Sequence, residues 1–429
     1  MRILIRGGRI IDPRSGMDRT GDLAVSDGHV AHCGDVPDTF AADEIFEAAG
    51  HIVCPGLIDL GARLGRPGPE HPDTIAGEAH AAAAGGITTL VCPPDTDPLI
   101  DAPPVAELIH RRAAEAGGAR VLPVGALTRG LAGEQLAEMA TLRAAGCPAV
   151  GDGGHPVADT LVLRRALAYA ATFGLPAMIT PLDPYLGTAG CAHEGAVATR
   201  LGLPGIPTAA ETAGIARCLA LAAEGEADVH FSHLSTAEAL TLLRQARADG
   251  ARVSADVTLA QLFFTEQDLT GYDARFNLRP PLRTLADREA LRRAVATGDI
   301  GVICSGHHPL GGDAKDGPFA TTSPGASGVD TFLPLLLRLV ETEVLPLPEA
   351  IARATSGPAS VLGLDTGTLA PGAPADICVF DPDAVWWCRR ETLRSRGRNS
   401  PFLGWEMTGR VRYTLVDGRL VHRDDAATA

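Results

Sequence analysis

A chain of 429 residues with a net charge of -15 is long enough for one α/β barrel of about 250 residues plus a smaller module. Its acidity argues against partners that need a basic face, namely nucleic acid and anionic membranes. Hydrophobic residues at 45% and charged residues at 21% give a soluble globular composition rather than a disordered one.

The opening MRILIRGGRIID lacks the basic, apolar and small-residue pattern of a secretory signal, and no apolar run approaches a membrane span, so a cytoplasmic protein is expected. The nine cysteines never fall at C-x-x-C spacing, which speaks for reduced core thiols rather than disulfides or a zinc ribbon. Short alternating segments such as ILIRGGRIID and DLAVSDGHVAHCGD predict β-strands near the start, and the same texture returns in ADICVFDP and RVRYTLVDGRLVHR. Residues 1–54 and 365–429 are therefore expected to form one composite β module, with residues 55–364 as an inserted domain. There LIDLGAR, ITTLVCPP, RVLPVGAL, PAMITPL, DVHFSHL, RVSADV and IGVICSG alternate with helical stretches rich in alanine and leucine. That rhythm predicts an α/β fold, a parallel (β/α)8 barrel whose site lies at the C-terminal ends of its strands.

From Pro55 to Pro98, and then in PAMITPLDPYL, LGLPGIPTAAETAGIARCLALA, VHFSHLSTAEAL, PPLRTLADREAL, SPGASGVDTFLPLLL and NSPFLGWEMTGRVRYTLVDGR, the chain resembles the class I dihydroorotases of the amidohydrolase superfamily. The resemblance covers nearly the whole length in the family's order. It implies an amidohydrolase-type TIM barrel with a composite β-sandwich module from the two termini.

The same resemblance places the site. Active members carry D-L-H-x-H-x-R, whose two histidines bind zinc; the matching Asp59–Gly65 stretch has Gly61 and Arg63 at the histidines and Gly65 at the substrate-holding arginine. Thr180 stands at the third histidine ligand, His233 keeps the fourth, and Gly306 stands at the aspartate that binds metal and moves the proton. Asp152 keeps a carboxylate where the family has a bridging acid. The carboxylated-lysine route of some relatives is closed, because the sole lysine, Lys315, lies in the GGDAKDG loop. Two substrate-contacting asparagines are Asp95 and Arg279, so an anionic pyrimidine would meet an added carboxylate at Asp95, and the T-P-H-H-L segment reads Thr258–Leu262.

Hydrolysis of a cyclic amide on this fold needs a metal that brings its bound water to a pKa of about 7 and a carboxylate that shuttles the proton. Catalytic zinc ordinarily takes three protein ligands and an open position, so no bound cofactor is expected here, zinc being the metal of active relatives. The alternative is a rebuilt site of His233, Asp152 and His307, chosen from these and His155, His193, His230 and His308. Side-chain alternation lets at most one of His230 and His233, and one of His307 and His308, face the barrel. Arg63 is expected to point into the former metal cavity and pair with Asp152 or another acid, supplying the positive charge of the lost ion; the alternative is an outward turn to solvent. His71, His80 and His110 are read as structural, and Gly311–Gly317, which lacks phosphate-loop spacing, as a mobile surface loop.

The resemblance further implies a non-catalytic dihydroorotase-like subunit, oligomeric, that associates with aspartate carbamoyltransferase in pyrimidine synthesis and serves its assembly. Two other readings stay open: an active cyclic amidohydrolase with an atypical metal site, and a non-catalytic binder of a small metabolite.

Overall fold

The computed structural model describes residues 1–65, 74–187 and 190–424; His71 and the RPGPEHPD part of the first family motif lie outside them. The β segments at the two ends of the chain meet in one sheet. Ile52–Pro55 pairs in parallel with Arg2–Asp12 and antiparallel with Ile377–Trp387, so the strand just before the inserted domain joins the two ends of the chain. Arg2–Asp12 continues to Met17–Ser26 and His29–Gly34, and Ile377–Trp387 to Glu406–Val416 and Arg419–Arg423. Ile3, Ile5, Leu23, Val25, Phe46, Ile377 and Leu415 fill the core of this β-sandwich module, each on the inward side of an alternating strand.

The chain leaves the module through Gly56, where a Cβ would lie 2.1 Å from the Thr88 side chain. It then enters a closed parallel barrel. In order, the strands are Leu57–Asp59, Ile87–Cys92, Arg120–Pro123 continued by Gly125–Ala126, Val150–Gly151, Ala177–Ile179, Val229–Phe231, Val253–Thr258 and Val302–Cys304. Neighbouring strands pair in parallel, and a parallel bridge between Ala62 and His307 closes the eighth strand on the first. Ile87–Cys92 is buried at every position, as expected of a strand covered on both faces.

The helices outside begin and end on local signals. Asp159 accepts from the Leu161 and Val162 N–H groups at the start of Thr160–Thr172, and Thr284 with Asp287 forms a capping box before Leu285–Thr297, which ends on Gly298 at φ 83. Among the described residues no helix is long and apolar enough to cross a membrane.

One expectation needs correction. The C-terminal segment is not wholly part of the β module: between Trp387 and Glu406 it lies on the barrel. There the Arg396 N–H donates to Glu78 Oε1 at 3.0 Å, Asn399 Nδ2 donates to the His308 and Gly325 carbonyls, and Leu393 and Phe402 enter the barrel's core. The glycine-rich loop lies at the surface, as expected, and is tied down at one residue. It contains a short 3-10 turn, Gly312–Lys315, and Lys315 Nζ donates to the carbonyls of Ala274 at 2.9 Å and Asn277 at 3.0 Å. These two hydrogen bonds make the only lysine an anchor, and burial lowers its amine to about 8.

Candidate functional site

The strand ends converge on a cavity of about 250 Å³ lined by Arg63, Asp95, Asp152, Thr180, His233 and Arg279 among others. Gly61, His155 and His308 also face it. Gly65 and Gly306 are not among its lining residues, Gly306 facing a smaller neighbouring pocket with Arg63 and His233; their φ of 79 and 65 are a left-handed backbone that glycine adopts without strain.

Arg63 follows the first strand and points inward. Its Nε donates to Asp95 Oδ2 at 2.7 Å and its Nη2 to the Gly153 carbonyl at 3.3 Å. The partner is therefore Asp95, after the second strand, and not Asp152. The carboxylate expected to be an added negative charge is paired with a guanidinium, while its Oδ1 is buried without a hydrogen-bond partner. Arg279 reaches across the mouth to the Gly187 carbonyl at 3.2 Å.

Asp152 ends the fourth strand and is held from one side. Its Oδ1 accepts from Thr180 Oγ1 at 2.7 Å and from the Gly154 N–H at 3.1 Å, and the Thr180 N–H reaches both oxygens. Burial pushes this carboxyl up to about 6 against those hydrogen bonds. Thr180, which stands where the resemblance implies an imidazole, thus spends its hydroxyl on Asp152.

The histidines divide cleanly. His307 is fully used: Nε2 meets Glu78 Oε2 at 3.0 Å and Nδ1 accepts from the Gly328 N–H at 3.1 Å, which removes it from the expected ligand set. His193 Nδ1 meets the Arg283 guanidinium at 3.0 Å. His308, pushed down to about 4 by burial and the neighbouring Arg63, is a neutral ring in the cavity wall.

His230 and His233 depart from simple alternation. The sixth strand ends at Phe231, and His233 sits beyond it at φ 61, so both rings reach one carboxylate, Asp256 of the seventh strand. His230 Nε2 meets Asp256 Oδ2 at 2.9 Å and its Nδ1 meets Ser254 Oγ at 2.8 Å. His233 gives its N–H to Asp256 Oδ1 at 2.7 Å, and its ring Nε2 lies 4.0 Å from the same oxygen. Only His233 of this pair lines the cavity. Burial lowers its pKa, so the ring is neutral, with Nε2 buried and unpartnered. Burial raises the Asp256 carboxyl, and its contacts with His233 and His230, among them the hydrogen bonds from the His230 ring and the His233 N–H, outweigh it, leaving it below the ordinary range.

The zinc site of active relatives does not fit these residues. Where it needs imidazoles the chain has Gly61 and a salt-bridged Arg63, where it needs the third it has Thr180 bound to Asp152, and Gly306 offers no carboxylate. Among the described residues, one group of three ligand-type side chains has its donor atoms within 4.8 Å of one another: His233, Asp256 and Cys304. Sequence reasoning missed Asp256 and Cys304. The available signal was a carboxylate inside RVSADV and a thiol closing VIC, each a polar group in an otherwise apolar barrel strand.

Residues 50–239 match the family described as Dihydro-orotase-like, and residues 320–422 the Amidohydrolase family. The chain is 48% identical to a dihydroorotase-like protein of Pseudomonas aeruginosa over 98% of its length and 100% of the relative's. It is 44% identical to a protein of Syntrophotalea carbinolica named dihydroorotase, over 99% of both. L-Hydantoinase (dihydropyrimidinase) from Arthrobacter aurescens superposes with a TM-score of 0.86 at 22% identity, over 98% of this chain and 96% of that one, a likeness of fold.

Proposed function

The chain belongs to the dihydroorotase-like family, and from that premise we propose that it is a non-catalytic member, a structural or assembly subunit for aspartate carbamoyltransferase in pyrimidine synthesis. One observation carries the reading: where the family resemblance puts a metal-binding imidazole the cavity has the Arg63 guanidinium, fixed to Asp95 and to the Gly153 carbonyl. A guanidinium stays protonated at any working pH and cannot lower the pKa of a bound water as a metal does. Gly306 moreover leaves no side chain at the proton-shuttling position. The departures from the family motif fall on strand ends, while the chain matches a dihydroorotase-like relative over 98% of its length. The partner itself is inferred from the family resemblance.

Purified protein supplied with zinc and dihydroorotate is expected to give no turnover, and on mixing with its cognate carbamoyltransferase to form one larger species. Zinc-dependent turnover would contradict the non-catalytic part, and two separate species the partner. A second reading, binding of a small metabolite, is favoured by the unpartnered Asp95 Oδ1 and His233 Nε2 in the cavity wall. A ligand-induced rise in melting temperature tests it.

A further inference from the structure

We infer that His233 Nε2, Asp256 Oδ1 and Cys304 Sγ hold a single borderline-soft divalent ion, of the zinc class, inside the barrel beside Gly61. Asp256 and Cys304 come from the seventh and eighth strands and His233 from the turn just after the sixth, so the ion ties together three neighbouring elements beside the barrel's closing seam. Asp256 Oδ1 lies 3.3 Å from Cys304 Sγ and 4.0 Å from His233 Nε2. Zinc bonds of about 2.0 to 2.3 Å in a tetrahedron set donor atoms about 3.3 to 3.7 Å apart, so the first distance already fits and the second must close by about 0.7 Å.

Three further observations point to a ligand. His233 Nε2 is a buried polar atom with no partner, a state that proteins seldom leave uncompensated. The space in front of it is kept open by a missing side chain: a Cβ on Gly61 would lie 2.6 Å from His233 Nε2 and 3.5 Å from Cys304 Sγ. The surroundings also orient the donors as outer partners of metal ligands do. The His233 N–H fixes Asp256 Oδ1, His230 holds Asp256 Oδ2, and Ser254 holds His230.

The donor set decides the class of ion. Thiolate and imidazole select zinc and its neighbours over magnesium or calcium, which take all-oxygen sites. Without the ion, Cys304 donates its thiol proton toward Asp256. Binding releases that proton to solvent and sets a thiolate and a carboxylate against the two charges of the metal. Only His233 belongs to the zinc set implied by the family resemblance, and the ion's place between adjacent strands gives it a stabilising role. The inference does not depend on the carbamoyltransferase assignment.

Cobalt(II) is the probe, because a thiolate bound to cobalt gives a near-ultraviolet charge-transfer band. The metal-stripped full chain titrated with cobalt is expected to develop that band to saturation at one equivalent, with a rise in melting temperature that chelator reverses. Cys304→Ser should abolish the band, and Cys92→Ser, at a buried thiol outside the trio, should leave it. Gly61→Ala keeps all three ligands and fills the space in front of them; it should weaken cobalt binding at least tenfold. A chain that shows no band at excess cobalt, or a band that survives Cys304→Ser, overturns the site. Turnover would strike only at the non-catalytic reading.

Discussion

Arg63 and Asp95 bear most directly on chemistry at the scale of single residues, since a salt bridge with side chains 27% and 16% exposed occupies the place of a metal's charge. Removing one partner leaves the other charge in a poorly solvated wall. Arg63→Met is expected to destabilise the protein by about 1–3 kcal/mol in urea unfolding, with Asp95→Asn in the same background recovering most of it. Equal loss in the single and double variants would show that the pair carries no coupling. The inward aim of Arg63 was legible from strand alternation, because residues two apart share a face. Its partner was not, because Asp95 lies in a loop after another strand, and loop side chains have no periodicity to read.

Asp152 gives a second prediction at this scale. Its carboxyl is raised to about 6 from an ordinary 3.8, so the folded state binds this proton more tightly than the unfolded chain does. Its contribution to stability is complete below pH 3.8 and is lost as pH rises through about 6. Asp152→Asn can keep Oδ1 as the acceptor for Thr180 and Gly154. It should flatten the stability profile between those two pH values and gain up to about 3 kcal/mol at neutral pH. An unchanged profile from pH-dependent unfolding would show that the carboxyl is ionised at an ordinary pKa.

At the scale of elements, the geometry at the strand ends bears on whether two substitutions could rebuild the zinc site of active relatives. Histidine at position 61 brings a Cβ to 2.6 Å from His233 Nε2. A side chain at position 306 must adopt φ 65 with its Cβ 2.9 Å from Thr258, and the backbone term alone is about 1–2 kcal/mol. The double variant Gly61→His with Arg63→His is therefore expected to be less stable than the parent and to hydrolyse no dihydroorotate, in assays with added zinc. Recovered turnover would show that the strand positions are wrongly matched to active relatives.

Most barrel strands were legible as short apolar runs, but Val150–Gly151 was not, because two residues carry no pattern and only the family match located it. The stretch between Trp387 and Glu406 was also opaque. Its anchors, Arg396 on Glu78 and Asn399 on His308 and Gly325, are long-range backbone contacts that no local signal announces. Lys315 looked mobile by composition because the carbonyls that hold it belong to Ala274 and Asn277, far back in the chain.

At the scale of the whole molecule, one sheet uses both chain ends and the barrel strands lie between them in sequence, so the proposed assembly role is placed on the outer surface rather than in the cavity. Stable subunit interfaces bury about 1,200–2,000 Å², an area the proposed assembly role would draw from the outer surface without any catalytic residue. Substitutions inside the cavity, Arg63→Met among them, are accordingly expected to leave association with the carbamoyltransferase within about twofold of the parent. The most direct measurement is the mass in solution of this chain mixed with its cognate aspartate carbamoyltransferase at micromolar concentration, with carbamoyltransferase activity read on the same samples. The account predicts one larger species containing both chains, and a carbamoyltransferase that is unassembled or poorly active when alone. Two independent species, with the carbamoyltransferase fully assembled and active by itself, would contradict it.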